Sequence, residues 1–402
     1  MDRYAEFALE VLKKLISIPT VNPPGDRYEE LAKYLREVLE GIGGSVELIE
    51  IPESYLDKHY PYAPSHRGKR RFIVYAKFSE SPQLHINAHY DVVPPGSGWS
   101  RDPFIPVIES GKVFGRGASD DKAGIACTIA SIKKVVDSGA EPKIEVAFVP
   151  DEESGGIGTK YLVEEVGVKP PRVLVAEPTT SERIAIGHKG VIRGLIKVYG
   201  KQGHAAAPWR YVNAFEEGCR FATIFLEKVK SEFSKYRSSY PFDCEEARFS
   251  SIALGGITWV STSKENVIPG EFAFSFDARI VPELSIELAK EKIIKCVKDA
   301  ASSVRARVEV EIRGCISASV TDPSSEVVTK LREVAREVLG YEPKLFVNSG
   351  RYDSVYYVAK GVPAVIYGPG ATGVAHAPDE YVPVEEVVKF VEIYSRFMAA
   401  YQ

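Results

Sequence analysis

Five stretches of the sequence place a potential metal ligand at the end of an apolar run or just ahead of a helical pattern. "LHINAH" closes on His89, "IEVAFVPDEE" on Glu152 and Glu153, and "RVLVAE" on Glu177. "AVIYGPGATGVAH" leaves its apolar run and reaches His376, and "GRGASDDKAG" carries Asp120 ahead of a helix. Four of these runs have strand length. In a parallel sheet their carboxyl ends would share one edge, where open α/β sheets bind ligands. Imidazole nitrogen and carboxylate oxygen suit zinc, and the lack of cysteine among them fits an open catalytic site rather than a closed structural one. His89, Asp120, Glu153, Glu177 and His376 are too many for one open site. Two ions bridged by a carboxylate use all of them, and two dications offset the repulsion among Asp151, Glu152 and Glu153.

The surrounding elements must bring these residues together. "AEFALEVLKKLISI" and "YEELAKYLREVLEGIG" have helical periodicity, and "RRFIVYAKF" is a further strand-like run. Strand and helix alternate, which predicts an α/β layer with a mostly parallel sheet flanked by helices. Beyond residue 187 the texture changes. "VIRGLIKVYG", "SSIALGGITWV" and "EFAFSFDARIV" alternate as antiparallel strands do, with two long amphipathic helices among them. The expected organisation is one α/β domain over 1–187 and 317–402, interrupted by an α+β domain over 188–316.

Composition narrows the function. A net charge of −4 gives no electrostatic basis for nucleic-acid binding, and no run of about 18 apolar residues predicts a membrane span. The 5 cysteines are scattered with no CxxC pair, as expected of reduced thiols in a cytoplasmic protein. "GRGASD" lacks the last glycine of a dinucleotide fingerprint, and no G-x-S-x-G elbow is present.

"HINAHYDVVPPG", "GRGASDDKAG", "PDEESGG", "AEPT" and "HAPDE", in this order, resemble the di-zinc amidohydrolase and metallopeptidase family of succinyl-diaminopimelate desuccinylase, acetylornithine deacetylase, aminoacylase and glutamate carboxypeptidase. The resemblance covers almost the whole chain. It implies a zinc-peptidase-like catalytic domain with an inserted ferredoxin-like lid and dimerisation domain. His89 and Glu177 would hold one ion, Glu153 and His376 the other, and Asp120 would bridge them. The ions would be zinc, with cobalt or manganese as alternatives. Asp91 would orient His89, and Glu152 would be the general base. His204, in "GKQGHAAAP", would reach the other subunit's site and stabilise the oxyanion. Asn266 and Arg279 would touch the substrate carboxylate.

The reaction implied is hydrolysis of an amide bond beside a free carboxylate, as in an N-acyl amino acid desuccinylase or deacetylase. A carboxypeptidase or dipeptidase is the alternative. A non-hydrolytic binder of the same fold is a third reading, against which the intact ligand set and Glu152 stand. Where many relatives carry Gly-Gly-Thr, this chain has Ser349, Gly350 and Arg351, and an arginine fork there can pair with a substrate carboxylate. The segment "PESYLDKHYPYAPSHRGKRR" stands outside the core pattern and is expected to decorate the surface or a dimer.

Overall fold

The computed structural model describes residues 2–401, which fall into two compact units. The first holds everything up to Gly187, Thr321–Leu345 and everything from Tyr352. The second holds His188–Val320 and Phe346–Arg351.

In the first unit the strands Ile144–Val149, Leu84–His89, Val173–Val175 and Ala364–Ile366 lie side by side in that order, all parallel. Every residue of Leu84–His89 and Ile144–Val149 is buried, so these strands read as unbroken apolar runs rather than alternating ones. The polar exceptions satisfy one another. His85 Nδ1 lies 3.0 Å from Glu145 Oε1, and the Asn87 amide donates to Thr159 Oγ1 and the Tyr357 hydroxyl, each at 3.1 Å. Phe72–Lys77 and Ser45–Glu50 extend the sheet antiparallel on one side. Helix Arg3–Ile16, capped by Asp2, packs with Lys122–Asp137 and Val384–Ala399.

The segment 52–71 lies mostly on the surface, as expected, but is anchored in the interior at four residues. It forms the helix Glu53–His59 and then an irregular stretch. Leu56, Tyr60, His66 and Arg71 are buried, and Leu56 and Tyr60 join a core with Ile73, Val149 and Leu162. Its charged residues hid this from composition, because the buried ones are spaced irregularly.

The second unit is an antiparallel sheet in the order Ser251–Val260, Glu271–Ile280, Gly190–Tyr199, Arg307–Ile316. With helices Ala214–Phe233 and Ile286–Ala301 the chain order is βαββαβ, a ferredoxin-like arrangement. The helices bury Phe221, Phe225 and Ile293 against sheet residues Ile196, Phe274 and Phe276. The whole chain is therefore α/β with an additional α+β unit. Among the described residues no helix is long and apolar enough to cross a membrane.

Candidate metal centre

Because the four central strands are parallel and adjacent, their carboxyl ends open on one edge. His89 is the last residue of its strand, opposite Val149 in register. The turn after Val149 carries Glu152 and Glu153, and Glu177 follows Val173–Val175. His376 lies on the long connection after Ala364–Ile366, and Asp120 sits ahead of helix Lys122–Asp137.

Four of these side chains touch. His89 Nε2 is 3.0 Å from Asp120 Oδ1, while His376 Nε2 is 3.5 Å from Asp120 Oδ2 and 2.8 Å from Glu153 Oε1. Each Asp120 oxygen thus faces a different imidazole. Donor atoms of His89, Asp120 and Glu153 all lie within 4.8 Å of one another. Glu177 is buried, and its Oε1 has no hydrogen-bond partner. An orphaned carboxylate oxygen beside nitrogen and oxygen donors fits a divalent cation, whose charge would satisfy it.

Asp91 lies against the His89 imidazole and does a second job. His89 Nδ1 is 3.0 Å from the Asp91 backbone carbonyl and 3.5 Å from its carboxylate. The Asp91 carboxylate also accepts the backbone N–H of Glu152 at 3.0 Å and of Glu153 at 3.2 Å. It sets the turn that carries both acids.

Two contributors were not assigned from sequence. Arg116 and Glu380 form a fully buried pair at 2.5 Å. Glu380 also accepts the N–H groups of Gly117, Ser119 and Asp120, and Arg116 donates to the His376 carbonyl at 3.2 Å. One ion pair therefore ties the Asp120 loop to the His376 loop. It also supports His376 at a φ of 64°, a conformation costing about 1–3 kcal/mol for such a residue. Strand Lys112–Phe114 pairs with Tyr381–Pro383 and brings the same loops together. Glu380 stands inside the quoted "HAPDE", so its position was visible but its partner was not.

The second unit places His204 and Asn266 together. Both are exposed, and Ala205 N–H donates to the Asn266 carbonyl at 3.0 Å. Arg279 is held by Asp277 at 2.6 Å, and its Nη1 lies 3.4 Å from the Ser349 carbonyl. Gly350 and Arg351, both half-buried, continue that loop, and Gly350 N–H donates to Asn348 Oδ1 at 3.2 Å.

Electrostatics at the sheet edge are set by close packing. Burial opposes charge on His89, but hydrogen bonds to Asp120 and Asp91 outweigh it and hold its pKa well above the ordinary value. Hydrogen bonds to Asp120 and Glu153 lift His376 to about 10. Burial, with Glu152 nearby, pushes Glu177 well up. For Asp120 burial acts upward, but hydrogen bonds from the two imidazoles win and lower it. His376 therefore holds a proton at neutral pH, which a metal must displace, and the upward shifts of His89 and Glu177 act in the same direction. Zinc loading of chelator-treated protein at pH 7 is expected to release protons. Apparent affinity should rise with pH until His376 deprotonates, near 10. Calorimetric zinc titrations in two buffers of different ionisation enthalpy read this directly, and buffer-independent heats would refute it.

Comparison with known proteins places the chain. Residues 85–400 match Peptidase family M20/M25/M40. An uncharacterized metallohydrolase of Methanocaldococcus jannaschii is 30% identical, over 97% of this chain and 98% of the relative. A succinyl-diaminopimelate desuccinylase of Nitratiruptor is 28% identical, over 98% and 99%. Among solved structures, an M20 family metallo-carboxypeptidase of Sulfolobus solfataricus superposes with a TM-score of 0.76 at 22% identity, covering 100% of this chain and 99% of that one. Human carnosine dipeptidase 1 superposes with a TM-score of 0.73 at 16% identity, over 98% and 96%. With the profile matching most of the sequence and relatives aligned end to end, the chain belongs to Peptidase family M20/M25/M40 and is a metal-dependent hydrolase of amide and peptide bonds that uses divalent ions.

Proposed function

We propose that the enzyme is a di-zinc deacylase that cleaves an amide bond next to a free carboxylate, releasing an acyl group from an N-acyl amino acid. The observation that carries this is the cluster of His89, Asp120, Glu153 and His376 with the buried Glu152 and Glu177 at its side. His89 and Glu177 would hold one ion, Glu153 and His376 the other, with Asp120 between. Bound divalent ions supply polarisation of the scissile carbonyl and a more acidic water. Glu152 takes a proton from the attacking water and delivers it to the departing amine.

Arg279 and Arg351 offer positive charge for the substrate carboxylate, supported by their common placement with the 346–351 loop in the second unit. The desuccinylase names among full-length relatives support an acyl-amino acid substrate. Arg351, whose guanidinium can pair with a carboxylate in a fork, supports the second reading, a carboxypeptidase or dipeptidase. The second unit is read as a lid and homodimerisation domain in a cytoplasmic enzyme. Ile257, Trp259 and Val260 are exposed on its outer strand, whose free edge and apolar side chains suit pairing with a second copy. His204 would then stabilise the oxyanion of the partner's site.

Initial rates on N-succinyl and N-acetyl amino acids beside dipeptides decide the substrate class. Preference for dipeptides would replace the main reading with the second. The same assay on a mixture of His204→Ala and Glu152→Gln proteins reads the dimer. Activity above either variant alone is expected, and its absence would count against action across subunits.

A further inference from the structure

Arg71 has no exposed surface, and burying a guanidinium costs several kcal/mol unless every donor is satisfied. A built socket engages all three of its nitrogens. Nε donates to Asp151 Oδ2 at 3.0 Å, Nη1 to the Lys69 carbonyl at 2.7 Å, and Nη2 to the Pro24 carbonyl at 2.6 Å. The rings of Tyr28 and Tyr60 flank it, with centroids 5.4 and 4.9 Å away. Gly25, at φ +95°, leaves room for it: a Cβ there would lie 2.7 Å from Nη2.

The socket leads to the metal centre by an unbroken path. Asp151 Oδ1 accepts from Asn22 Nδ2 at 3.1 Å, and the same amide donates to Asp91 Oδ2 at 2.8 Å. Asn22 thus bridges two buried carboxylates. Its own oxygen accepts from the Tyr60 hydroxyl at 2.7 Å and Ser154 Oγ at 2.8 Å, so the amide cannot turn over without breaking both. Asp91 then holds the N–H groups of Glu152 and Glu153. Asp151 enters this turn at a φ of 61° and closes it by accepting Gly156 N–H at 2.9 Å.

We propose that Arg71 is a positioning residue for the Glu152–Glu153 turn, acting through Asp151, Asn22 and Asp91. The guanidinium fixes Asp151, and Asn22 transmits that placement to Asp91. Glu153 is thereby aimed at the metal and Glu152 kept apart for proton transfer. The proposal rests on the reading of Glu153 as a ligand and Glu152 as base. A turn displaced by about 1 Å is enough to cost about 100-fold in rate.

The informative variant is the full-length double substitution Arg71→Met with Asp151→Asn, which leaves no unpaired charge in the socket. It is compared with Arg71→Lys, Glu153→Ala and wild type. Zinc affinity is measured by chelator competition, the thermal midpoint by circular dichroism, and kcat and KM at saturating zinc. The double variant is expected to retain a near-native thermal midpoint and KM. Its zinc affinity should fall about 10–100-fold, the usual consequence of losing support behind a ligand, and kcat should fall with it. Arg71→Lys should recover part of both. Wild-type zinc affinity and kcat in the double variant, beside an impaired Glu153→Ala, would overturn the proposal: Arg71 would then only neutralise Asp151. Unchanged zinc binding in Glu153→Ala would instead overturn the site reading beneath it.

Discussion

Glu152→Gln is expected to keep its full complement of bound metal and to lose about 10²–10⁴-fold in kcat, the usual contribution of a positioned acid–base group. That is about 3–5 kcal/mol of barrier at roughly 1.4 kcal/mol per decade. The substitution is nearly isosteric, and the backbone N–H at 152 stays anchored on Asp91 at 3.0 Å, so the turn has no reason to move. Glu152 also helps push Glu177 and Asp121 up through like charge. Removing that charge makes the Glu177 carboxylate easier to ionise, which favours metal retention rather than loss. The loss that bears on turnover is the ability to accept and return a proton. Metal analysis beside steady-state kinetics decides it. Turnover within tenfold of wild type would move the base to another residue.

Asp120→Ala should fail in the opposite way, losing metal first and turnover as a consequence. The two oxygens of Asp120 face two different imidazoles, 3.0 Å from His89 and 3.5 Å from His376. No neighbour can replace both. The backbone N–H at 120 is held independently by Glu380 at 3.0 Å, so the loop should survive the truncation and the deficit will lie in the missing carboxylate. Metal catalysis of this kind is worth several kcal/mol, so a drop of about 10³-fold in turnover is expected. Metal per protein after dialysis should fall, while the circular dichroism spectrum stays native. An unchanged stoichiometry would remove Asp120 from the bridging position.

The contrast between these substitutions shows what sequence can and cannot convey. Strands buried on both faces read as apolar runs, so the residue ending each run was visible, and parallel packing explains why such ends share an edge. The change of texture near residue 187 was visible as well, because antiparallel strands alternate. Partner choice was not visible. Arg71 meets Asp151 across 80 residues, and Arg116 meets Glu380 across 264. Nothing local marks either arginine as buried. "NPPG" at 22–25 gives one hint, a glycine that must leave space, but what fills the space is known only once the chain has folded. The buried anchors of the segment 52–71 were hidden for the same reason: a charged residue in the interior looks like any other in a string.

The last feature concerns inheritance. Gly190–Tyr199 and Arg307–Ile316 are paired neighbours, with Val191 opposite Ile316, so the chain enters and leaves the second unit through adjacent residues. Such a unit can be exchanged as a cassette without rerouting the rest of the chain. The 346–351 segment belongs to that unit although the sequence on either side of it does not. It is held there by the Val347 N–H on the Pro241 carbonyl at 2.8 Å and the Lys189 N–H on the Asn348 carbonyl at 2.9 Å. With Gly350 and Arg351 read as substrate contacts, selectivity is written largely on the cassette and its six-residue outpost. With His89, Asp120, Glu153 and His376 read as metal ligands, the metal chemistry is written on the first unit, so a change in one unit need not disturb the residues of the other.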